Sequence, residues 1–235
     1  MIDLRSDLSA SDGDLLRNLG PSRAGEGGRV VMFVAARPGE GVSSIAASFA
    51  LLAAQGVRKP AWLIDLDLRR NHAFNTFAVG PFAKPFGGVG PPYSAALRTQ
   101  PFFSIEPEDT GKKDDFGVFT AHRVGETRLM VTQFDAARLQ PGQTIRIRAQ
   151  PDYWAAVRAA TDWAIVDAPA IQRASAALAL VAQMDAVVLV VRADHGDAAE
   201  VDAARRAIEA HGGRIAGLVV NRLRPDARFA DRLVR

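Results

Sequence analysis

The chain has 235 residues, of which 48% are hydrophobic and 23% are charged, and its formal net charge at pH 7 is +3. This length and composition suit one globular domain with a full hydrophobic core. The absence of cysteine excludes disulfides, thiolate catalysis and cysteine-based zinc sites. No window reaches the roughly 18 uninterrupted apolar residues of a membrane span, and the N-terminal MIDLRSDLSASDGD is polar and acidic, so we expect a cytoplasmic protein.

The composition divides the chain into three parts. Residues 1–28 form a polar, glycine-rich lead-in with one short helical candidate, DLLRNL, and residues 29–222 carry the apolar runs of a folded domain. Residues 223–235 form a basic tail, which together with Arg222 holds five arginines against two aspartates. Such a tail is either a solvated segment or a contact for an acidic partner, and we do not expect that partner to be nucleic acid.

The central domain begins with a strand, a glycine-rich loop, a helix and a second strand. The run VVMFVAA predicts a strand covered on both faces, and it leads through RPGEGVSS into the helical pattern IAASFALLAAQG, which ends near Gly56. AWLIDLD predicts the second strand. Residues 71–127 then interrupt the pattern with FAVGPFAKPFGGVGPPY and EPEDTGKKDD, and we predict a long irregular insertion there. Its phenylalanines suit either partner binding or internal packing.

Regular elements resume after the insertion. Strands are predicted at RLMVTQF, WAIVDAPA, DAVVLVVRAD and RIAGLVVNR, and helices at PDYWAAVRAA, SAALALVAQM and DAAEVDAARRAIEAHGG. Strands this apolar, alternating with helices, predict an α/β fold in three layers, with a doubly wound and mainly parallel sheet. Ligands of such sheets bind beyond the carboxyl ends of the strands.

The loop ARPGEGVSS, residues 36–44, is the first candidate site. Gly39 and Gly41 allow backbone amides to turn inward around phosphate oxygens, and a helix starting near Ser43 adds a positive dipole. In the usual phosphate loop a lysine follows the last glycine and the next serine or threonine binds magnesium. Here Val42 takes the lysine position and Ser43 the magnesium position. A glycine-rich turn without a ligand is the alternative interpretation.

Two further strand ends carry carboxylates. Asp65 and Asp67 in LIDLDLRR are two residues apart, so on a strand both would point to the same side, toward a metal or an attacking group. Asp167 ends the apolar strand WAIVDAPA in the manner of a Walker B aspartate, which orients magnesium or its water. The alternative interpretation, for the pair Asp65 and Asp67 as for Asp167, is that an aspartate caps the following turn. The three elements nevertheless occur in the order that nucleotide binding requires.

The succession PGEGVSS, LIDLDLRR, DWAIVDAPA, DAVVLVVRAD and GLVVNR resembles the P-loop NTPases of the MinD/ParA superfamily. The closest resemblance is to the cytoplasmic bacterial tyrosine kinases of capsule and exopolysaccharide biosynthesis, and it covers roughly residues 30–70 and 128–222. It implies ATP or ADP with magnesium as cofactors. It also implies homo-oligomers and a partner at the inner membrane, a polysaccharide synthesis or export protein of the chain-length-regulator type.

The resemblance also implies roles for individual residues. The phosphates would be surrounded by Gly39, Glu40, Gly41, Val42, Ser43 and Ser44. Ser43, Asp65 and Asp167 would hold the metal, and Asp65 and Asp67 would be the catalytic carboxylates. Asn221 and Arg222 would lie near the adenine, and Arg37 stands where ParA-type loops carry an additional lysine.

Several positions depart from the kinase pattern. The phosphate-loop lysine is lost, and the chain has only Tyr93 and Tyr153, so the tyrosine-rich tail that such kinases phosphorylate is missing. The ring-forming N-terminal motif keeps Asp14 and Arg17 but has Gly20 in place of its last arginine. These departures predict a kinase-like regulator with weak or absent activity. The alternatives are an active ParA/MinD-type dimerisation switch and a scaffold that binds no nucleotide.

Overall fold

The computed structural model describes residues 14–17, 19–20, 27–107, 117–194 and 197–221. The strands are β1 (Arg29–Val34), β2 (Ala61–Asp65), β3 (Val89–Ser94), β4 (Phe103–Glu106), β5 (Phe119–Val124), β6 (Leu129–Phe134), β7 (Thr144–Ile147), β8 (Trp163–Asp167), β9 (Ala186–Arg192) and β10 (Ile215–Asn221). The helices are α1 (Val42–Ala53), α2 (His72–Ala78), α3 (Ala83–Phe86), α4 (Pro151–Ala160), α5 (Ala176–Leu180) and α6 (Ala198–Ala210).

Eight strands form one sheet in the order β10-β9-β1-β8-β2-β6-β5-β3, while β4 and β7 pair separately. From β10 to β6 each strand is parallel to its neighbours, whereas β5 and β3 are antiparallel additions. Strand β1 lies between β9 and β8, and residues 30–34 are all buried because both of its faces are covered. The α/β fold with a mainly parallel sheet, predicted from these apolar strands, is confirmed.

Helices cover both faces of the sheet and produce three layers. Val31 and Phe33 of β1 belong to a core cluster with residues of α1 and α2, whereas Val30 and Met32 belong to a second cluster with residues of α4, α5 and α6. The alternation of these side chains along β1 follows the two-residue period of a strand. The sheet is therefore wound on both sides, as the alternating pattern predicts.

The prediction that residues 71–127 form an irregular insertion is wrong for most of the described part of that segment. It contains α2, α3, β3, β4 and β5, and β5 extends the main sheet by pairing with β6. The proline-rich VGPPYS forms β3 at the edge of the sheet. Proline is tolerated at an edge because its missing N–H group removes no bond from a central ladder. Residues 108–116, with most of the charged run, lie outside the described residues.

The lead-in contributes a short helical segment. Residues 14–17 are helical, Arg17 is ion-paired with Asp14, and Leu19 is buried in the core cluster that includes α1. The basic tail and Arg222 lie outside the described residues. Across the described part of the chain, the helices are too short or too polar to pass through a bilayer.

Candidate functional site

A cleft of about 210 Å³ opens at the carboxyl ends of β1, β2 and β8. These strands are parallel neighbours, and Asp65 at the end of β2 is in register with Asp167 at the end of β8. The loops that follow the strands therefore meet at one edge of the sheet. The cleft is lined by Pro38, Gly39, Glu40, Gly41, Val42, Ser43, Ser44, Asp65, Asp67, His72, Asp167, Ala168, Pro169, Ala170 and Arg173.

The loop after β1 has the backbone conformation of an anion-binding turn. Gly39 and Gly41 have φ angles of +86° and +87°, in the left-handed region that glycine adopts without strain. Helix α1 begins at Val42 with Gly41 as its N-cap and no side-chain cap. Its first-turn amides are therefore available to a ligand and carry the positive end of the helix dipole. This geometry suits phosphate.

Strands β9 and β10 hold this loop in place. Glu40 is buried, and its carboxylate accepts a hydrogen bond from the backbone N–H of Arg192 at the end of β9. The side-chain amide of Asn221, at the end of β10, donates to the Glu40 carbonyl at 2.8 Å. A Cβ at Gly41 would lie 2.1 Å from the Asn221 Nδ2 atom. Asn221, predicted to lie near an adenine, thus contacts the loop directly.

Ser43 and Asp167 form the centre of the cleft. The Ser43 hydroxyl donates to the carboxylate of Asp167, which is buried at the end of β8. Burial raises the pKa of Asp167 to about 7, with a smaller contribution from the negative charge of Asp67, while the bond from Ser43 opposes the rise. Ser44 is exposed at the cleft, and its carbonyl accepts a hydrogen bond from the Ser48 hydroxyl.

Asp65 has a structural function as well as a place in the cleft. One carboxylate oxygen accepts the N–H of Asp67 at 2.8 Å and the other accepts the N–H of Ala73, in the first turn of α2, at 2.9 Å. The capping alternative therefore holds for Asp65. Burial and then the proximity of Asp167 raise its pKa well above the usual range, against the effect of the two backbone bonds. Asp67 is partly exposed, and its Oδ2 atom lies 4.0 Å from the Nε atom of Arg70.

The two positions expected to carry positive charge are occupied differently. Val42 is half-buried and packs against the hydrophobic core cluster around α1 while also lining the cleft. The guanidinium of Arg37 is ion-paired with Glu200 on α6, and Arg37 is not among the residues that line the cleft. Neither residue places a cation at the phosphate loop.

Two polar residues of the cleft, His72 and Arg173, were not predicted from the sequence. His72 is the first residue of α2, and Arg173 lies on the loop between β8 and α5. A signal was present in both cases, since each residue closely follows a strand that ends in an aspartate at the ligand-binding edge. Neither residue belongs to a motif, so spacing alone did not distinguish them from other polar loop residues.

The residues present fit a magnesium-bound phosphate. Magnesium prefers oxygen ligands, and the Ser43 hydroxyl shares the cleft with two buried carboxylates, Asp65 and Asp167. In the described residues no three His, Cys, Asp or Glu side chains are placed to hold a metal by themselves. Phosphate oxygens and water would therefore complete the coordination, as is usual for magnesium.

Comparison of the sequence with protein-family models and with curated proteins gives no match. The fold matches solved kinase domains. The kinase domain of VpsO is 20% identical with a TM-score of 0.55, over 94% of this chain and 95% of that chain. The kinase domain of the Escherichia coli tyrosine kinase ETK is 20% identical with a TM-score of 0.53, over 83% of this chain and 69% of that chain.

A third solved structure, the BceF tyrosine kinase domain, is 17% identical with a TM-score of 0.52, over 82% of this chain and 68% of that chain. At these identities the similarity establishes a common fold. The chain therefore has the fold of bacterial tyrosine-kinase domains, which confirms the predicted resemblance at the level of architecture.

Proposed function

We propose that this protein is an ATP-binding, kinase-like regulator of exopolysaccharide or capsule synthesis and export, with weak or absent phosphoryl transfer. The fold shared with three tyrosine-kinase domains supports the kinase-like part of the proposal. By extension from the resemblance, its partner is a chain-length-regulator type of protein at the inner membrane. The regulator would then lie in the cytoplasm at the membrane surface.

One observation carries the proposal: the cleft has the acidic side chains that would hold magnesium, while an aliphatic residue occupies the lysine position. The Ser43 hydroxyl stabilises the Asp167 carboxylate, and Val42 packs against the core. Backbone amides can still bind phosphate, but the charge that stabilises phosphoryl transfer from within the loop is missing. By comparison with the loss of a preorganised transition-state donor, we expect a rate about 10²–10³-fold below that of an intact site.

The tyrosines support a regulator over an autokinase. Tyr153 is fully buried in α4, and Tyr93 is exposed on β3, at the edge of the sheet. The tail contains no tyrosine. Residues 223–235 therefore offer no tyrosine hydroxyl for phosphorylation.

Titration calorimetry with MgATP, combined with a phosphate-release assay, tests the proposal. We expect the wild-type chain to bind MgATP with slow or undetectable turnover. Replacement V42K should tighten binding about 10-fold or more, because it adds a charge-assisted contact to phosphate. Replacement V79K is the matched control. Val79 follows the last residue of α2 and is 84% exposed, so a lysine there should leave the affinity for MgATP unchanged.

Two results would contradict the regulator. Wild-type turnover of MgATP as fast as that of an intact tyrosine-kinase domain would contradict weak or absent activity. A dimer that forms only with ATP and is lost in R37A, measured by analytical ultracentrifugation, would favour the dimerisation switch. Arg37 is engaged by Glu200 of its own chain, so we expect no such dimer.

A further inference from the structure

The cleft presents an unbalanced set of charges to a polyphosphate. Its lining includes the carboxylates Asp65, Asp67 and Asp167, and no lysine is among the lining residues. A magnesium ion offsets part of this negative charge, but the phosphates bring several more negative charges. Phosphate sites in proteins usually add at least one lysine or arginine for this reason.

Arg173 is the arginine that lines the cleft. Its loop is tied to the start of the phosphate loop, because the N–H groups of Ile171 and Gln172 donate to the carbonyls of Ala35 and Ala36 at 3.0 and 3.1 Å. The N–H of Arg173 donates to the Ala170 carbonyl at 2.9 Å, which closes a turn. The backbone of Arg173 is therefore held beside the loop that would receive the phosphates.

Within the described part of the chain, the guanidinium of Arg173 is not committed to another group. Arg37 and Arg192, which also lie near the phosphate loop, are ion-paired with Glu200 and Asp194 respectively. Arg173 is exposed. Among the residues that the structure describes, none forms an ion pair or a side-chain hydrogen bond with it. Its long side chain is free to turn toward a ligand in the cleft.

We propose that Arg173 supplies the phosphate-binding positive charge that the loop lacks at Val42. The ligand is the polyphosphate of a nucleotide, held between the loop amides on one side and the Arg173 guanidinium on the other. A guanidinium is always charged and binds two phosphate oxygens at once, which suits this role. This inference rests on the proposed nucleotide binding and adds the residue that makes it possible without the lysine.

Binding by the full chain tests Arg173, with MgATP, inorganic tripolyphosphate and adenosine as the probes. Replacement R173A should weaken binding of MgATP and of tripolyphosphate about 10- to 100-fold, because a charge-assisted contact is lost. Adenosine binding should not change. R173K should retain part of the affinity. R58A is the matched control. Arg58 is exposed and precedes β2, so it lies at the end of this strand that is remote from the cleft.

The double variant V42K/R173A separates a direct role from a structural one. If Arg173 acts through phosphate, a lysine at position 42 should restore the affinity that R173A loses. Equal affinity of R173A and wild type for MgATP would overturn the inference about Arg173 and leave the nucleotide-binding proposal standing. Absence of MgATP binding in both the wild type and V42K would overturn both.

Discussion

At the scale of single residues, the cleft is defined by two buried carboxylates whose negative charges repel each other. Asp65 and Asp167 end adjacent strands, and each is almost fully buried. Only hydrogen bonds from Ser43 and from backbone N–H groups oppose their protonation. A divalent ion would offset this negative charge, and without one the charge is a source of instability.

The pH dependence of stability should report this buried charge. The pKa of Asp167 is about 7 in the folded protein, against a usual value of 3.8. Between pH 4 and 7 the folded state binds more protons than the unfolded state, so stability falls as pH rises and levels off above the folded pKa. Replacement D167N should remove on the order of 1–4 kcal/mol of this decline.

Urea unfolding at pH 5 and pH 8 without magnesium measures the effect. D167N should gain stability relative to the wild type at pH 8, and the gain should shrink or reverse at pH 5, where Asp167 is largely protonated. The exposed Asp152 on α4 provides the control D152N. An identical pH profile for D167N and the wild type would show that Asp167 is not the group responsible.

At the scale of elements, the phosphate loop depends on the last strand of the sheet. The Asn221 amide of β10 holds the Glu40 carbonyl and lies where a Cβ of Gly41 would be. Contact between residues 40 and 221 links the start of the domain to its end. Strand β10 therefore helps to hold the loop in its conformation.

Two glycine substitutions separate backbone strain from this contact. G39A should cost about 1–2 kcal/mol, because the residue is left-handed but its Cβ would meet nothing within 4 Å. G41A has the same backbone penalty and must also displace the Asn221 amide, so it should cost about 1 kcal/mol more. Urea unfolding measures both. Equal costs for the two variants would show that Asn221 moves away freely, and the added cost should disappear in the background N221A.

At the scale of the whole molecule, the insertion of residues 71–127 contributes side chains to the core of the domain. Phe102 is fully buried, with its ring centroid 5.4 Å from that of Tyr153 and 5.5 Å from that of Trp154, both on α4. The ring of Phe102 also packs against that of Phe119 of β5, with 5.6 Å between the ring centroids. For this cluster, internal packing is the observed use of the phenylalanines. The insertion and the rest of the domain should therefore unfold together.

Replacement F102A should destabilise the protein by about 3–5 kcal/mol, because it leaves a cavity among rings that cannot all move to fill it. Y93A is the control in the same segment, since Tyr93 is 57% exposed, and it should cost less than about 1 kcal/mol. Tryptophan fluorescence and circular dichroism should give coincident urea transitions for the wild type. Separate transitions would show that the insertion folds as a unit of its own.

Much of the fold was predictable because apolar runs report burial directly. VVMFVAA and WAIVDAPA predict strands covered on both faces, and the structure places β1 and β8 side by side inside the sheet. The insertion was not predictable in the same way. VGPPYS has the composition of a loop, and it is a strand only because β5 provides the partner for its backbone groups.

The sequence by itself determined which strand ends carry the glycines and carboxylates of the cleft. The reason is that local conformation sets both the backbone angles of Gly39 and Gly41 and the edge of the sheet at which Asp65 and Asp167 lie. Only the tertiary structure decided the destination of the long charged side chains. Arg37 pairs with Glu200, which is 163 residues away, while Arg173 reaches the cleft. Contacts between such distant residues depend on how the elements pack, and no local pattern records that packing.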